Sequence, residues 1–177
     1  MPNDLMAIVA GASRGGGRGI AVALGDLGAT VYVTGRTVRG GRRPADEAPE
    51  TIEDTAEEVT RRGGRGVAVQ VDHTVPAQVD DLFARVAREA GRVDVLACAV
   101  WGGNERYLEP AWKHPFWEQP PIAWSESLDA GPLAFWLAAR AAARRMVRSR
   151  RGLIVAVTEP VLENAFEDQV PTLADTF

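Results

Sequence analysis

The residue types best able to hold an anion are concentrated in Val9-Ala10-Gly11-Ala12-Ser13-Arg14-Gly15-Gly16-Gly17-Arg18-Gly19-Ile20. Gly11, Gly15 and Gly17 give a Gly-x-x-x-Gly-x-Gly spacing. Glycines allow a tight turn and let backbone N–H groups approach a pyrophosphate, and a helix N-terminus behind them adds a favourable dipole. The pattern gains meaning from its place between an apolar run and a helical stretch; in a chain with 18 glycines, a flexible Gly/Arg loop is the competing reading. Arg36 follows the next β-type run in Thr34-Gly35-Arg36-Thr37. An acid there would suit the ribose 2′-hydroxyl of NAD, whereas a cation suits the 2′-phosphate of NADP. Arg14 can reach the same phosphate, and two guanidiniums match it by bidentate geometry. NADP is therefore expected, with NAD as the other candidate and plain solvated arginines as the competing reading. Asp72, in Val71-Asp72-His73, can accept from an adenine amino group or cap a turn. His73 reads as a loop residue with no metal partner near it in sequence. Cys98 falls in or beside a buried strand and reads as an inert core thiol. Trp101, Trp112, Phe116, Trp117 and Trp124 form either a pocket mouth or a satellite core.

The elements that must position these residues follow from patterning. Leu5–Ala10, Thr30–Thr34, Gly66–Val71, Arg92–Ala97 and Gly152–Val157 read as strands. Ile20–Leu24, Glu50–Arg62, Val75–Ala90 and most of Ile122–Arg148 read as helices. The second of these has acids early and arginines late, as the helix dipole favours. Gly35–Pro49 reads as an exposed loop. Strand and helix alternate, which implies an α/β fold: a Rossmann-like three-layer sandwich on a parallel, five-stranded and incomplete sheet. Residues 1–158 form the dinucleotide-binding domain. Residues 159–177, with five acids and no basic residue, read as a weakly structured tail without strong apolar periodicity. Arg140, Arg144, Arg145, Arg148, Arg150 and Arg151 read as a solvated helix face.

Composition narrows the class. The chain has 177 residues, formal net charge −4 and 46% hydrophobic residues, enough for one packed domain. A mildly acidic balance argues against a nucleic-acid footprint. One cysteine excludes an internal disulfide framework, and with His73 and His114 the only histidines no zinc site is expected. No stretch is long and apolar enough for a membrane span, and the start lacks a secretory plan, so a soluble cytoplasmic protein is expected. All but Lys113 of the 20 basic residues are arginine.

These residues together resemble the short-chain dehydrogenase/reductase family from about Leu5 to Thr158. Gly11-Ala-Ser-Arg-Gly-Gly-Gly17 is similar to the family's Thr-Gly-x-x-x-Gly-x-Gly loop, with Ala10 in place of the threonine and Gly16 where Ile or Leu is usual. Thr30-Val-Tyr-Val-Thr-Gly-Arg36 resembles the second strand of NADP-preferring members. Gly91-Arg-Val-Asp-Val-Leu96 resembles the stretch before the Asn-Asn-Ala-Gly motif, which here reads Ala97-Cys98-Ala99-Val100. Phe116-Trp-Glu-Gln-Pro120 with Trp124 resembles a narrower branch, the dehydrogenase/reductase member-one-like proteins. The resemblance implies hydride transfer between NADP(H) and a carbonyl or alcohol substrate. It also implies cofactor contacts at Gly11, Ser13, Arg14, Gly15, Gly16, Gly17, Arg36, Asp72, His73 and Val100. Thr158 falls at or beside the catalytic serine slot, where a strand-end residue is the competing reading. Gly131, with Asp129 two residues earlier, falls near the family's helix-four asparagine. The family's Tyr-x-x-x-Lys pair has no counterpart: the tyrosines are Tyr32 and Tyr107, and no lysine follows Lys113. Turnover is therefore expected to be impaired, with a non-catalytic NADP-binding module as the alternative. The usual homodimer, paired through two long helices, is not expected. If the coding DNA beyond residue 158 encodes Tyr-x-x-x-Lys in another frame, the acidic tail is a frameshift product.

Overall fold

The computed structural model describes residues 4–41, 50–101, 115–118, 120–122, 125 and 128–158. Five strands run parallel: β1 (Met6–Ala10), β2 (Thr30–Gly35), β3 (Arg65–Gln70), β4 (Val95–Cys98) and β5 (Leu153–Ala156). The helices are α1 (Gly15–Asp26), α2 (Ile52–Arg61), α3 (Pro76–Ala90) and α4 (Ala134–Ser149). Strand order across the sheet is β3-β2-β1-β4-β5. The chain builds outward from β1 to β3, then crosses back to lay β4 on the other side of β1. That reversal is the topological switch point of a doubly wound sheet.

The alternation of side chains along β1 explains the layers. Ile8 joins Tyr32 and Leu96 beneath Phe83 of α3 and Leu137 of α4. Ala7 and Val9 join Val31 and Val33 beneath Ala21 of α1 and Val59 of α2. Strands buried on both faces must be apolar at successive positions, and β1 and β2 are. The three-layer expectation is met.

Several boundaries differ from the patterning. α1 begins at Gly15, so the glycine cluster is the helix's first turn rather than a lead-in to it. β4 begins at Val95 rather than Arg92, because the buried Asp94 turns its carboxylate to the Met6 amide (2.9 Å) and to the side chains of Arg92 and Arg151. Ile122, Ser125 and Leu128 are helical as expected, but Asp129–Leu133 opens into a π turn before α4. Pro132 lies inside that turn and has no N–H to give, which favours a local widening of the helix. Thr37 is buried, not part of an exposed loop: its carbonyl receives the Ile52 amide at 3.1 Å. α2 starts as its sequence suggests, with a reciprocal Thr51–Asp54 capping box and Glu53 in its first turn.

On the α1/α2 side of β5, Leu153, Val155 and Val157 are exposed, while Ile154 packs on the opposite face against the core. Residues 42–49, 102–114 and the expected tail 159–177 lie outside the described residues, so the tail and the roles of Trp112 and Lys113 are not addressed by the structure.

Candidate functional site

The switch point holds the glycine loop. Ala99 still donates to the Ala10 carbonyl at 2.8 Å, and beyond that bond β1 turns away. Gly11 makes the turn with φ +76°, and a Cβ there would stand 2.6 Å from the Ala99 oxygen and 2.8 Å from the Val100 nitrogen. Only glycine satisfies both conditions. The amides of Gly11 and Ala12 both donate to the Thr34 carbonyl, at 2.9 and 3.0 Å. Gly17 is buried in the helix behind; a Cβ on it would lie 2.9 Å from the Gly11 carbonyl carbon and closer still to its oxygen. The helix thus packs backbone to backbone on the loop.

This places the N-terminus of α1 at the mouth of the crevice. Its N-cap, Arg14, gives no side-chain cap bond, and its first turn holds no acid. Amides of a first turn need an outside acceptor, and an anion supplies one. Ser13 faces the other way through its carbonyl, which accepts from Thr55 Oγ1 at 3.3 Å, and Arg18 Nη1 donates to the same hydroxyl at 3.1 Å. Loop and α2 are thereby joined.

Arg14 reaches across the loop to the segment after β2, with Nη2 3.3 Å from Thr37 Oγ1. Arg36, the residue before Thr37, is exposed, and its carbonyl accepts from Gln70 Nε2 at 3.3 Å. Of the two arginines expected from sequence to act together, Arg14 is thus directed at the residue that follows Arg36, just past the end of β2. Arg39 is committed elsewhere: it binds Asp54 and Glu57 of α2, and those two hydrogen bonds raise its pKa. Asp54 is held down at about 2, first by Arg39 and then by Thr51.

Asp72 is a turn cap, one of the two readings open from sequence. Oδ1 accepts from the Thr74 amide at 2.9 Å and its hydroxyl at 2.7 Å. Partial burial opposes its charge, but the Thr74 bonds and the Arg36 and His73 fields leave its carboxyl below the usual range. His73 lies in the turn between β3 and α3, as the loop reading expects, but it is buried there, 3% exposed, with Nε2 2.8 Å from Thr34 Oγ1. Burial pulls its pKa down to about 4. Thr34, Thr37 and Thr55 organise the loop and were missed as filler of strand, exposed loop and helix; only their position beside the glycine cluster could have marked them.

Thr158 follows the end of β5 and is exposed. Val157 before it donates its amide to the Cys98 carbonyl at 2.9 Å, and its Cγ1 lies 3.9 Å from where a Gly16 Cβ would be. β5 therefore ends beside the first turn of α1. Cys98 is buried, and burial raises its thiol pKa, as an inert core residue requires. Trp101 and Trp117 are exposed, which does not fit a satellite core at those two positions. Tyr32 is buried and donates to Glu89 at 2.8 Å; burial and that bond push its pKa up to about 12. Among the described residues no three His, Cys, Asp or Glu could hold a metal ion, and no helix is long and apolar enough to cross a membrane.

A parallel sheet ordered β3-β2-β1-β4-β5, with a glycine loop and helix N-terminus at its switch point, defines a Rossmann-type domain. The chain belongs to the short-chain dehydrogenase family, whose model matches residues 5–167. It is 40% identical over 154 residues to Dehydrogenase/reductase SDR family member 1 of Mus musculus, covering 86% of this chain and 45% of that protein. Against the Homo sapiens protein of the same name the identity is 36% over 159 residues, covering 89% and 47%. The chain thus spans just under half the length of these relatives. A metagenomic short-chain oxidoreductase solved in complex with NADP superposes with TM-score 0.76 at 26% identity, covering 96% of this chain and 68% of that one. A short-chain type dehydrogenase/reductase from Mycobacterium ulcerans shares the fold, with TM-score 0.73 at 22% identity over 89% of this chain and 52% of that one.

Proposed function

We propose that these residues form the NADP(H)-binding half of an oxidoreductase acting on a carbonyl or alcohol substrate. The observation that carries the reading is Arg14 Nη2 lying 3.3 Å from Thr37 Oγ1, just past the end of β2 where a 2′-phosphate would lie; the exposed Arg36, next to Thr37 in the chain, would supply the second guanidinium. The loop suits the rest of the dinucleotide. Side chains at Gly11 and Gly17 would fill the space between loop and helix, and the amides of the α1 first turn would receive the pyrophosphate. Asp72 stays ionised beside Arg36 and would accept from the adenine amino group. The bound nicotinamide supplies the hydride chemistry, and the protein supplies position. Family membership and the NADP complex of the 26% identical structure support this reading.

Titration of the chain with NADPH and NADH, followed by nicotinamide fluorescence, tests it. NADPH is expected to bind more tightly. Arg36→Glu is expected to weaken NADPH by about 10- to 100-fold, the weight of one or two charge-assisted hydrogen bonds, while moving NADH only a few-fold. Equal weakening of both nucleotides refutes the assignment.

A second reading, cofactor binding without turnover by these 177 residues, is favoured by the sequence and by the state of Tyr32. Tyr32 is locked to Glu89 with a pKa near 12, and the chain carries no Tyr-x-x-x-Lys pair. A proton donor of that kind is not among these residues. NADPH oxidation in the presence of ketones and aldehydes separates the two: the second reading expects binding with no oxidation above background.

A further inference from the structure

We infer that His73 is a positioning residue for the glycine loop, holding Thr34 in the orientation from which its carbonyl receives the amides of Gly11 and Ala12. The effect on cofactor binding rests on the reading above; the effect on the loop does not. His73 Nε2 lies 2.8 Å from Thr34 Oγ1, and that hydroxyl donates to the Val9 carbonyl at 3.0 Å. A hydroxyl has one hydrogen, so the contact with His73 must be an accepted bond. Nε2 therefore carries the ring proton and His73 is the donor. The neutral ring follows from the same geometry, since the other nitrogen, Nδ1, is buried with no partner among the described residues.

That bare nitrogen argues against simple packing. A leucine would fill comparable space without burying an unpaired acceptor, so the histidine is explained by what Nε2 does. Three strand ends meet at this bond: Val9 on β1, Thr34 on β2, and His73 just past β3. The backbone beneath His73 is fixed in turn, with the Val71 amide on the Gly35 carbonyl at 3.0 Å and the Asp72 amide on Gln78 Oε1 at 2.8 Å. Thr34 thus has its hydroxyl held by β1 and His73 while its carbonyl holds the loop at 2.9 and 3.0 Å. Releasing one end frees the other to rotate.

The test uses His73→Leu, His73→Gln and Thr34→Val in the full chain. The glutamine amide nitrogen can stand where Nε2 stands. Amide exchange is read by NMR in ligand-free protein, and NADPH affinity is measured on the same samples. In His73→Leu and in Thr34→Val, exchange at Gly11 and Ala12 is expected to rise about tenfold relative to Ile8 and Val9 in β1, and the NADPH Kd to rise by about three- to tenfold. His73→Gln restores both, and the Leu/Val double variant is no worse than either single one. Exchange that rises only in step with the whole sheet makes His73 an ordinary core residue and overturns the inference, whether or not NADPH binds. If the unaltered chain binds neither NADPH nor NADH, the cofactor reading fails and the two amides still decide this one. Should His73→Leu fail to fold, Thr34→Val and His73→Gln carry the same comparison.

Discussion

Alanine placed in turn at Gly17, Gly11 and Gly19 makes one chemical change within one glycine cluster and should give opposite results. At Gly17 the new methyl would lie 2.9 Å from the Gly11 carbonyl carbon, and only backbone is there to yield. Overpacking of that kind costs about 1–3 kcal/mol. At Gly11 the methyl would meet the Ala99 oxygen at 2.6 Å, and φ of +76° adds a further penalty of about 1–2 kcal/mol. At Gly19, exposed within α1, nothing lies within 4 Å, and replacing a helical glycine gains about 0.5–1 kcal/mol. For a domain of this size each kcal/mol moves the melting midpoint by about 2–4 °C. Gly17→Ala should then melt about 2–12 °C lower, Gly11→Ala lower again, and Gly19→Ala about 1–4 °C higher. Thermal unfolding followed by circular dichroism reads all three, and NADPH titration of the folded variants reads the loop. Gly11→Ala and Gly17→Ala should weaken binding; Gly19→Ala should leave it unchanged. A Gly17→Ala protein as stable as the parent, or a Gly19→Ala protein as damaged as Gly17→Ala, would refute the claim that the helix packs on the loop through that glycine.

Two further perturbations probe the supports of the site. His73 is protonated more readily in the unfolded chain, near its ordinary 6.5, than in the fold, where burial sets it at about 4. Its contribution is complete above pH 6.5 and is lost as pH falls toward 4, with a slope approaching about 1.4 kcal/mol per pH unit. Urea unfolding across that window should show the decline, and His73→Gln should flatten it; an unchanged profile would mean His73 is not buried neutral. Asp94→Ala removes the acceptor shared by the Met6 amide and the side chains of Arg92 and Arg151. It should cost about 1–3 kcal/mol and speed exchange at Leu153, whose amide donates to the Asp94 carbonyl at 2.9 Å. Unaltered Leu153 exchange would show that β5 does not depend on this staple.

Much of the fold was legible because its signals are local. Five apolar runs fixed the strands, and helical stretches between them implied crossovers of one hand, which leaves few topologies. The glycine loop was legible for the same reason, since its meaning depends only on lying between β1 and α1. The start of β4 was not, because Val-Asp-Val reads as strand until the partners of Asp94 are known, and two of these, Met6 and Arg151, are far away in sequence. Nor was His73. Its burial depends on Thr34, which is 39 residues earlier and reads as an ordinary β-branched residue. Asp72 was left between two roles from sequence; Thr74, two residues on, decides its hydrogen bonds without removing its charge from the site. What sequence hides here is side-chain partnership across strands, which has no period.

The two ends of the sheet are built for different work, and this bears on where binding can occur. At the strand starts, Asp94 is buried under Arg92 and Arg151 and ties β1, β4 and β5 into one unit. A buried carboxylate with its hydrogen bonds filled leaves nothing to offer a ligand. At the strand ends, α1 leaves β1 on one face, while the chain after β4 leads to α4 on the other. The two connections part, and the crevice between them is lined by what neither covers: the turn at Gly11, the first-turn amides of α1 and the end of β5. The amides of Gly11 and Ala12 are spent inward on the Thr34 carbonyl, so the loop is held from behind, and it is the first-turn amides of α1 that have no side-chain cap from Arg14. A ligand with spread negative charge is what such a surface can accept, and Arg14, whose Nη2 reaches Thr37, extends the same preference toward the end of β2.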